Sequence, residues 1–256
     1  MNIIKKIVYR NLVPLYGRLA KSRNRYINVI YYHDIVSSGG AGAQYTDIDV
    51  FKKQMEYISE KGYKTYTFDE LSNPENVSFD KKSVLITFDD GWRSNYNQIF
   101  EFMREKGIKY NIFLAVGNIG TNPEYLTWEH VKKMHESGIV GFGAHTYSHV
   151  SVKDISSLDT NLEFAKANEI IEREAGIKAA DFCYPYGQFS SEAEEYLLKN
   201  TQYTRIYTSN MDFSYDIDGK IIFGRCSINN DESFNVFKDK LCGNYNAFKT
   251  VRGKRK

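Results

Sequence analysis

Strand-like and helix-like stretches alternate along this chain about seven times with short connections, a pattern that builds parallel strands joined by right-handed crossovers. Apolar runs rich in β-branched and aromatic residues mark strands at Asn28 to His33, Tyr63 to Thr67, Val84 to Thr87, Tyr110 to Val116, Ile139 to Ala144, Ala180 to Tyr184, Thr204 to Thr208 and Ile221 to Arg225. Helical spacing covers Thr46 to Gly62, Ser94 to Gly107, Thr127 to Gly138, Leu158 to Ala175, Ser191 to Lys199 and Asp231 to Leu241, several of them closed by glycine. Such a chain folds as an open α/β sheet or as a barrel. With 256 residues it can bury one sizeable core, and no repeat or composition break divides it.

One stretch concentrates the chemistry: Val84-Leu85-Ile86-Thr87-Phe88-Asp89-Asp90-Gly91-Trp92-Arg93. Its strand runs straight into two adjacent carboxylates, which repel each other unless something neutralises them. Asp-Gly is also a hairpin signal, but helical spacing follows Gly91, so the unit is strand, loop, helix. In α/β proteins that mouth is where ligands and metals bind.

A second element follows another strand: His145-Thr146-Tyr147-Ser148-His149. Two histidines four residues apart meet on one helical face or converge from a tight loop, so both imidazoles can hold one ion. Asp90 with His145 and His149 would make a two-His, one-carboxylate site with open positions. Asp89 would then stand beside the metal as general base for a water molecule, a set suited to amide or ester hydrolysis.

Thr87-Phe88-Asp89-Asp90-Gly91, His145-Thr146-Tyr147-Ser148-His149 and Tyr184-Pro185-Tyr186-Gly187 resemble, in order and separation, the first three motifs of the polysaccharide deacetylases (carbohydrate esterase family 4, the NodB homology domain). The resemblance runs from about Asn28 to Asn230. It implies a distorted (β/α)7 TIM-like barrel and a divalent metal, Zn²⁺ foremost with Co²⁺, Ni²⁺ or Mn²⁺ in its place. It further implies removal of acetyl groups from N-acetylated sugars. By position, Asp89 is the catalytic base, Asp90, His145 and His149 are the metal ligands, and the Tyr186 N–H helps hold the oxyanion. Trp92, Tyr147, Tyr184, Tyr186 and Pro185 are expected around the sugar.

Two departures qualify the resemblance. Cys183 stands where the third motif of the family begins with an arginine that orients the base. Arg225, late in the chain, is the candidate to replace it, and it is counted among the substrate-site residues. The family's late general-acid histidine is also missing, since no His follows His149. His33 can supply the acid: Tyr31-Tyr32-His33-Asp34-Ile35 resembles the subgroup acting on poly-N-acetylglucosamine, with Asp34 as a candidate to orient His33. The plainer alternative is a rim or core histidine. Two other functions share these features: a catalytically impaired sugar-binding relative, and a non-haem iron oxygenase with the same ligand set.

The net charge of +2 offers no ground for a nucleic-acid partner, and three cysteines without metal-like spacing imply no disulfide framework. Tyrosine and phenylalanine number 20 and 16, which suits stacking on sugars or is a compositional bias. Residues 1–25 carry Lys5, Lys6, Arg10, Arg18, Lys21, Arg23 and Arg25 without an acid, and their apolar residues keep helical spacing. Such a segment lies on an anionic membrane surface or packs beneath the barrel. It has no signal-peptide core or membrane span, so a cytoplasmic or membrane-peripheral enzyme is expected. The expected divisions are residues 1–25, a catalytic domain over 26–240, and a basic tail over 241–256.

Overall fold

The computed structural model describes residues 13–15, 26–39, 44–73, 75, 77, 82–212 and 214–246. Its main sheet contains β1 (Asn28–Tyr32), β4 (Lys64–Thr65), β5 (Ser83–Phe88), β6 (Tyr110–Leu114), β7 (Val140–Ala144), β8 (Asp181–Cys183), β9 (Arg205–Tyr207), β10 (Tyr215–Ile217), β11 (Lys220–Phe223) and β12 (Cys226–Ser227), while β2 (Asp34–Val36) and β3 (Tyr45–Asp47) pair separately. The order is β10-β11-β9-β8-β7-β6-β5-β1-β12, with β4 beside β5. Every pairing is parallel except the β10–β11 hairpin.

The helices are α1 (Ile48–Glu60), α2 (Phe68–Leu71), α3 (Ser94–Asn97), α4 (Phe100–Lys106), α5 (Trp128–Glu136), α6 (Ala167–Ala175), α7 (Ser191–Asn200) and α8 (Phe234–Leu241). Side chains cap several of them. The Asp47 carboxylate accepts from Asp49 N–H at α1, Thr67 and Glu70 form a capping box at α2, and Ser190 accepts from Ala193 N–H at α7.

The last strand expected, Ile221 to Arg225, is split. β11 pairs with β9, and only two residues later β12 pairs with β1 on the opposite side of the sheet. One short segment therefore bridges both edges, and the sheet curls into a distorted (β/α)-barrel whose seven parallel positions are β1, β5, β6, β7, β8, β9 and the β11–β12 segment. The bridge needs a glycine, since a Cβ on Gly224 would lie 2.1 Å from the Asp212 carbonyl oxygen.

Alternation along the strands separates two cores. Val29, Leu85, Phe113, Cys183, Tyr207 and Phe223 fill the barrel, while Ile30, Ile86, Ile112 and Phe182 face the helical layer with Met55, Ile58, Met103, Val131 and Ile171. Gly143 on β7 makes room inside, because a Cβ there would lie 2.8 Å from the Phe113 ring.

Three expectations change. The run Leu158 to Ala175 is not one α-helix: residues 161–166 form a π-helical turn before α6. Ser94 to Gly107 breaks into α3 and α4. The domain does not stop at residue 240, because Asn244, Tyr245 and Asn246 are buried and the Asn246 amide donates to the Asn28 side-chain oxygen at 3.0 Å. Most of the basic N-terminal segment and the tail beyond residue 246 lie outside the described residues, although Val13 is fully buried in the core. Among the described residues no helix is long and apolar enough to cross a membrane.

Candidate active site

Strand register brings the singled-out residues together. Tyr32 pairs with Phe88, so His33 and Asp89 leave β1 and β5 side by side. Asp89 follows Leu85 and Thr87 on the inward face, and His33 follows Val29 and Tyr31 on its own. Leu114 pairs with Ala144, and Ala144 with Phe182, which sets His145 between β6 and the third motif. The carboxyl ends of these strands open on a cavity of about 180 Å³ lined by Tyr31, His33, Gln44, Asp89, Asp90, His145, His149, Tyr186 and Ser209.

Asp90, His145 and His149 converge. The Asp90 Oδ1 lies 3.0 Å from His149 Nε2 and 3.5 Å from His145 Nε2. That oxygen is buried yet meets hydrogen-bond geometry with neither ring. The His145 Nδ1 is 2.8 Å from the Cys183 carbonyl oxygen, which can only accept, so Nδ1 carries the proton and the Nε2 lone pair faces Asp90. Burial holds the His145 pKa down to about 4, despite the opposing charges of Asp89 and Asp90. The ring is thus neutral and able to ligate near pH 7. Burial pushes the Asp90 carboxyl up, but facing His149, with His145 and His33, outweighs it and holds the group well below the usual carboxylate range. The other Asp90 oxygen accepts the Trp92 indole N–H at 3.0 Å. A buried, unsatisfied oxygen facing two imidazole nitrogens is a donor set that could hold a divalent cation.

The backbone is strained here and nearly nowhere else. Five described non-glycine residues have positive φ, and four of them lie in the three motifs: Asp90, His149 and Tyr186 line the cavity and Thr146 follows His145; the fifth is Asp218. A non-glycine residue in the left-handed region costs on the order of 1 kcal/mol, so each must be held by its surroundings. Val116 N–H donates to the Thr146 carbonyl at 3.2 Å and Gly117 N–H to that of Tyr147 at 2.8 Å. The Glu163 carboxylate binds the same loop from below, through Tyr147 N–H at 3.0 Å, Ser148 N–H at 2.9 Å and Ser148 Oγ at 2.8 Å.

Asp89 sits against Arg225, which is fully buried. The guanidinium clasps both carboxylate oxygens at 2.7 and 2.8 Å, and its other donors reach the Thr87 hydroxyl, the Thr208 carbonyl and Cys183 Sγ. Its centre lies 4.3 Å from the Tyr31 ring centroid. Burial alone would raise the Asp89 pKa; the Arg225 charge and hydrogen bonds, with His145 and His33, outweigh it and hold the carboxyl below its ordinary value. His33 Nε2 stands 3.9 Å from Asp89 on the cavity side.

Of the residues expected around the substrate, Tyr186 alone lines this cavity. Arg225 is behind Asp89 and does not line the cavity. Tyr184 is fully buried, stacked on Phe189 at 4.5 Å, and Pro185 is buried beside it. Alternation accounts for Tyr184: its neighbour Cys183 faces the barrel interior, so Tyr184 faces the helical layer. The indole N–H of Trp92 is occupied by Asp90 and its ring stacks on Tyr125 at 4.5 Å. Tyr147 packs over Gly117 rather than into the cavity. Tyr186 does line the cavity, is 61% exposed, and its ring centroid lies 4.7 Å from that of His149. Asp34 turns to Ser94, and His33 Nδ1 is left without a partner. Sequence reading missed Gln44 and Ser209, which lie in loops without pattern, and Glu163, hidden inside a helical run.

The sequence profile of the polysaccharide deacetylases matches residues 76–206, a little over half the chain, and spans all three motifs. The chain belongs to the polysaccharide deacetylase family. Among curated relatives, YxkH of Bacillus subtilis, provisionally named a polysaccharide deacetylase, is 27% identical over 166 residues, covering 64% of this chain and 58% of that protein. The poly-beta-1,6-N-acetyl-D-glucosamine N-deacetylase of Staphylococcus epidermidis is 24% identical over 163 residues, covering 59% of this chain and 56% of that protein. The chain therefore spans little more than half the length of these two relatives. The Streptococcus pyogenes deacetylase PplD, solved in complex with acetate, shares the fold with a TM-score of 0.74 at 20% identity, over 85% of this chain and 99% of that one. His33 and Arg225 lie outside the part matched by the family profile.

Proposed function

We propose that this family member is a metal-dependent hydrolase that removes acetyl groups from N-acetylated sugars. One observation carries the reading: a three-donor cluster with an unsatisfied oxygen adjoins a carboxylate locked in its ionised form, both open to one cavity. Asp90, His145 and His149 would hold the ion, Zn²⁺ by the mix of imidazole and carboxylate donors. A divalent cation there supplies Lewis acidity toward water and toward an acetyl carbonyl.

The protein's own groups then have distinct tasks. Asp89, kept ionised by Arg225, takes the proton of the attacking water. The Tyr186 N–H, on a backbone turned at φ 58°, donates to the oxyanion as the carbonyl becomes tetrahedral. His33 Nε2 gives a proton to the departing nitrogen, and acetate and an amine are the products. Tyr186 presents the exposed ring against which a sugar packs. An iron oxygenase reading has the ligand set in its favour but not the parallel (β/α) architecture.

The test is acetate release from chitooligosaccharides and from poly-β-1,6-N-acetylglucosamine fragments, with Zn²⁺ or Co²⁺, alongside metal content. Release is expected from the wild type, with loss of metal in His149→Ala and loss of turnover but not of metal in His33→Ala. Metal-loaded protein that releases no acetate from any N-acetylated sugar would point to a sugar-binding protein instead.

A further inference from the structure

The loop between the two histidines is the most tightly constrained part of the site. It leaves β7 at His145, enters the left-handed region at Thr146 (φ 59°) and again at His149 (φ 57°), and presents two consecutive backbone amides, those of Tyr147 and Ser148, to a single carboxylate oxygen. That oxygen belongs to Glu163, 5% exposed, whose second oxygen accepts the Ser148 hydroxyl. Glu163 itself sits in the π-helical turn of residues 161–166, an arrangement that widens the helix and recurs at functional sites. A buried carboxylate is costly alone, and here the two amides and the Ser148 hydroxyl satisfy it.

We infer that Glu163 is a positioning residue that sets the cation affinity of the site. By fixing the Tyr147 and Ser148 amides it holds the His149 imidazole in front of Asp90 before any ion arrives, so binding does not have to order the loop. Its negative charge, separated from the ligands by one turn of backbone, adds to the field that favours a cation. The inference rests on the metal reading proposed above.

Zn²⁺ affinity of the full chain, measured by competition with a chromophoric chelator, tests it. Glu163→Ala is expected to weaken binding by about 10–100-fold, as losing a group that braces a ligand does. Glu163→Gln is expected to fall between that variant and the wild type, because its carboxamide oxygen can still accept both amides without the charge. Amide hydrogen exchange of the metal-free protein should show Tyr147 and Ser148 opening faster in Glu163→Ala, with helix α5 unchanged. Wild-type affinity in Glu163→Ala overturns the inference; should that variant not fold, wild-type affinity in Glu163→Gln does so. A wild type that binds no divalent cation overturns the metal reading itself, a result distinct from tight binding that ignores residue 163.

Discussion

Replacing Arg225 with alanine is the perturbation with the largest effect calculable from the contacts. The guanidinium is fully buried and spends its donors on Asp89, Thr87, Thr208 and Cys183. Truncation leaves the buried Asp89 carboxylate without its counter-charge, which costs about 3–5 kcal/mol when one partner of a buried pair is removed. The protein has one way to lessen that cost, which is to protonate Asp89. Burial is the largest influence on that group and acts upward, so with Arg225 gone the pKa rises and protonation becomes easier. Stability and catalysis are thereby coupled: the form that tolerates the truncation has lost its base, and turnover should fall by about 10²–10⁴-fold. Urea unfolding at pH 7 of wild type, Arg225→Ala, Asp89→Asn and the double variant closes the cycle. The double variant should recover much of the loss, because the uncompensated charge is gone. Arg225→Ala within 1 kcal/mol of the wild type, or strictly additive effects in the cycle, would refute the argument.

Three more outcomes follow from the same geometry. Metal-free protein should lose stability between pH 6.5 and about 4. Across that window the unfolded chain takes up a proton on His145 that the folded protein refuses, and at 1.36 kcal/mol per pH unit the loss is roughly 3 kcal/mol. Urea midpoints at stepped pH values check this, and a slope unaltered by His145→Gln would contradict it. Gly224→Ala should cost about 1–3 kcal/mol or more, since its Cβ would collide with the Asp212 carbonyl, a backbone atom that cannot swing aside; thermal unfolding reads the change. Cys183→Arg should be destabilising alone, because Cys183 Sγ already contacts Arg225 at 2.8 Å and a second buried guanidinium has no second carboxylate to pair with. Combined with Arg225→Ala it should regain stability, and a double variant no better than Cys183→Arg alone would show that the two positions are not interchangeable.

The parts of the site legible in the sequence are those whose residues are neighbours along the chain. Asp89 and Asp90 declare themselves by adjacency at a strand end, and His145 and His149 by spacing after another; register then does the rest, because parallel strands deliver consecutive motifs to one mouth. The alternation of strands and helices is enough for the α/β class but not for closure of the sheet, which depends on Gly224 and Arg225 carrying one segment from β9 to β1. Contacts across long separations leave no local mark. Nothing near Asp89 specifies a partner 136 residues away, and Arg225 came into question only because Cys183 occupied an arginine's place. Glu163 leaves no mark for a different reason: a glutamate in an amphipathic run reads as solvated, and only the loop above it makes it buried.

The two tyrosines of the third motif are more instructive. Tyr184 and Tyr186 look equivalent in the third motif, yet one is buried and the other is 61% exposed. Strand parity separates them. Cys183 stands at the position that must face Asp89, and its Sγ does meet Arg225 there, so Tyr184, the next residue, is committed to the opposite face and to the packing around Phe189. Tyr186 escapes that rule because it lies beyond the strand, after Pro185, where a positive φ re-aims the chain toward the cavity. Of the two tyrosines, Tyr186 is therefore the one that faces the cavity. Tyr186→Ala should accordingly weaken sugar binding with little loss of stability, whereas Tyr184→Ala should cost about 3–5 kcal/mol as a core truncation, read by KM and by urea unfolding. Equal stability losses at the two positions would refute the parity argument.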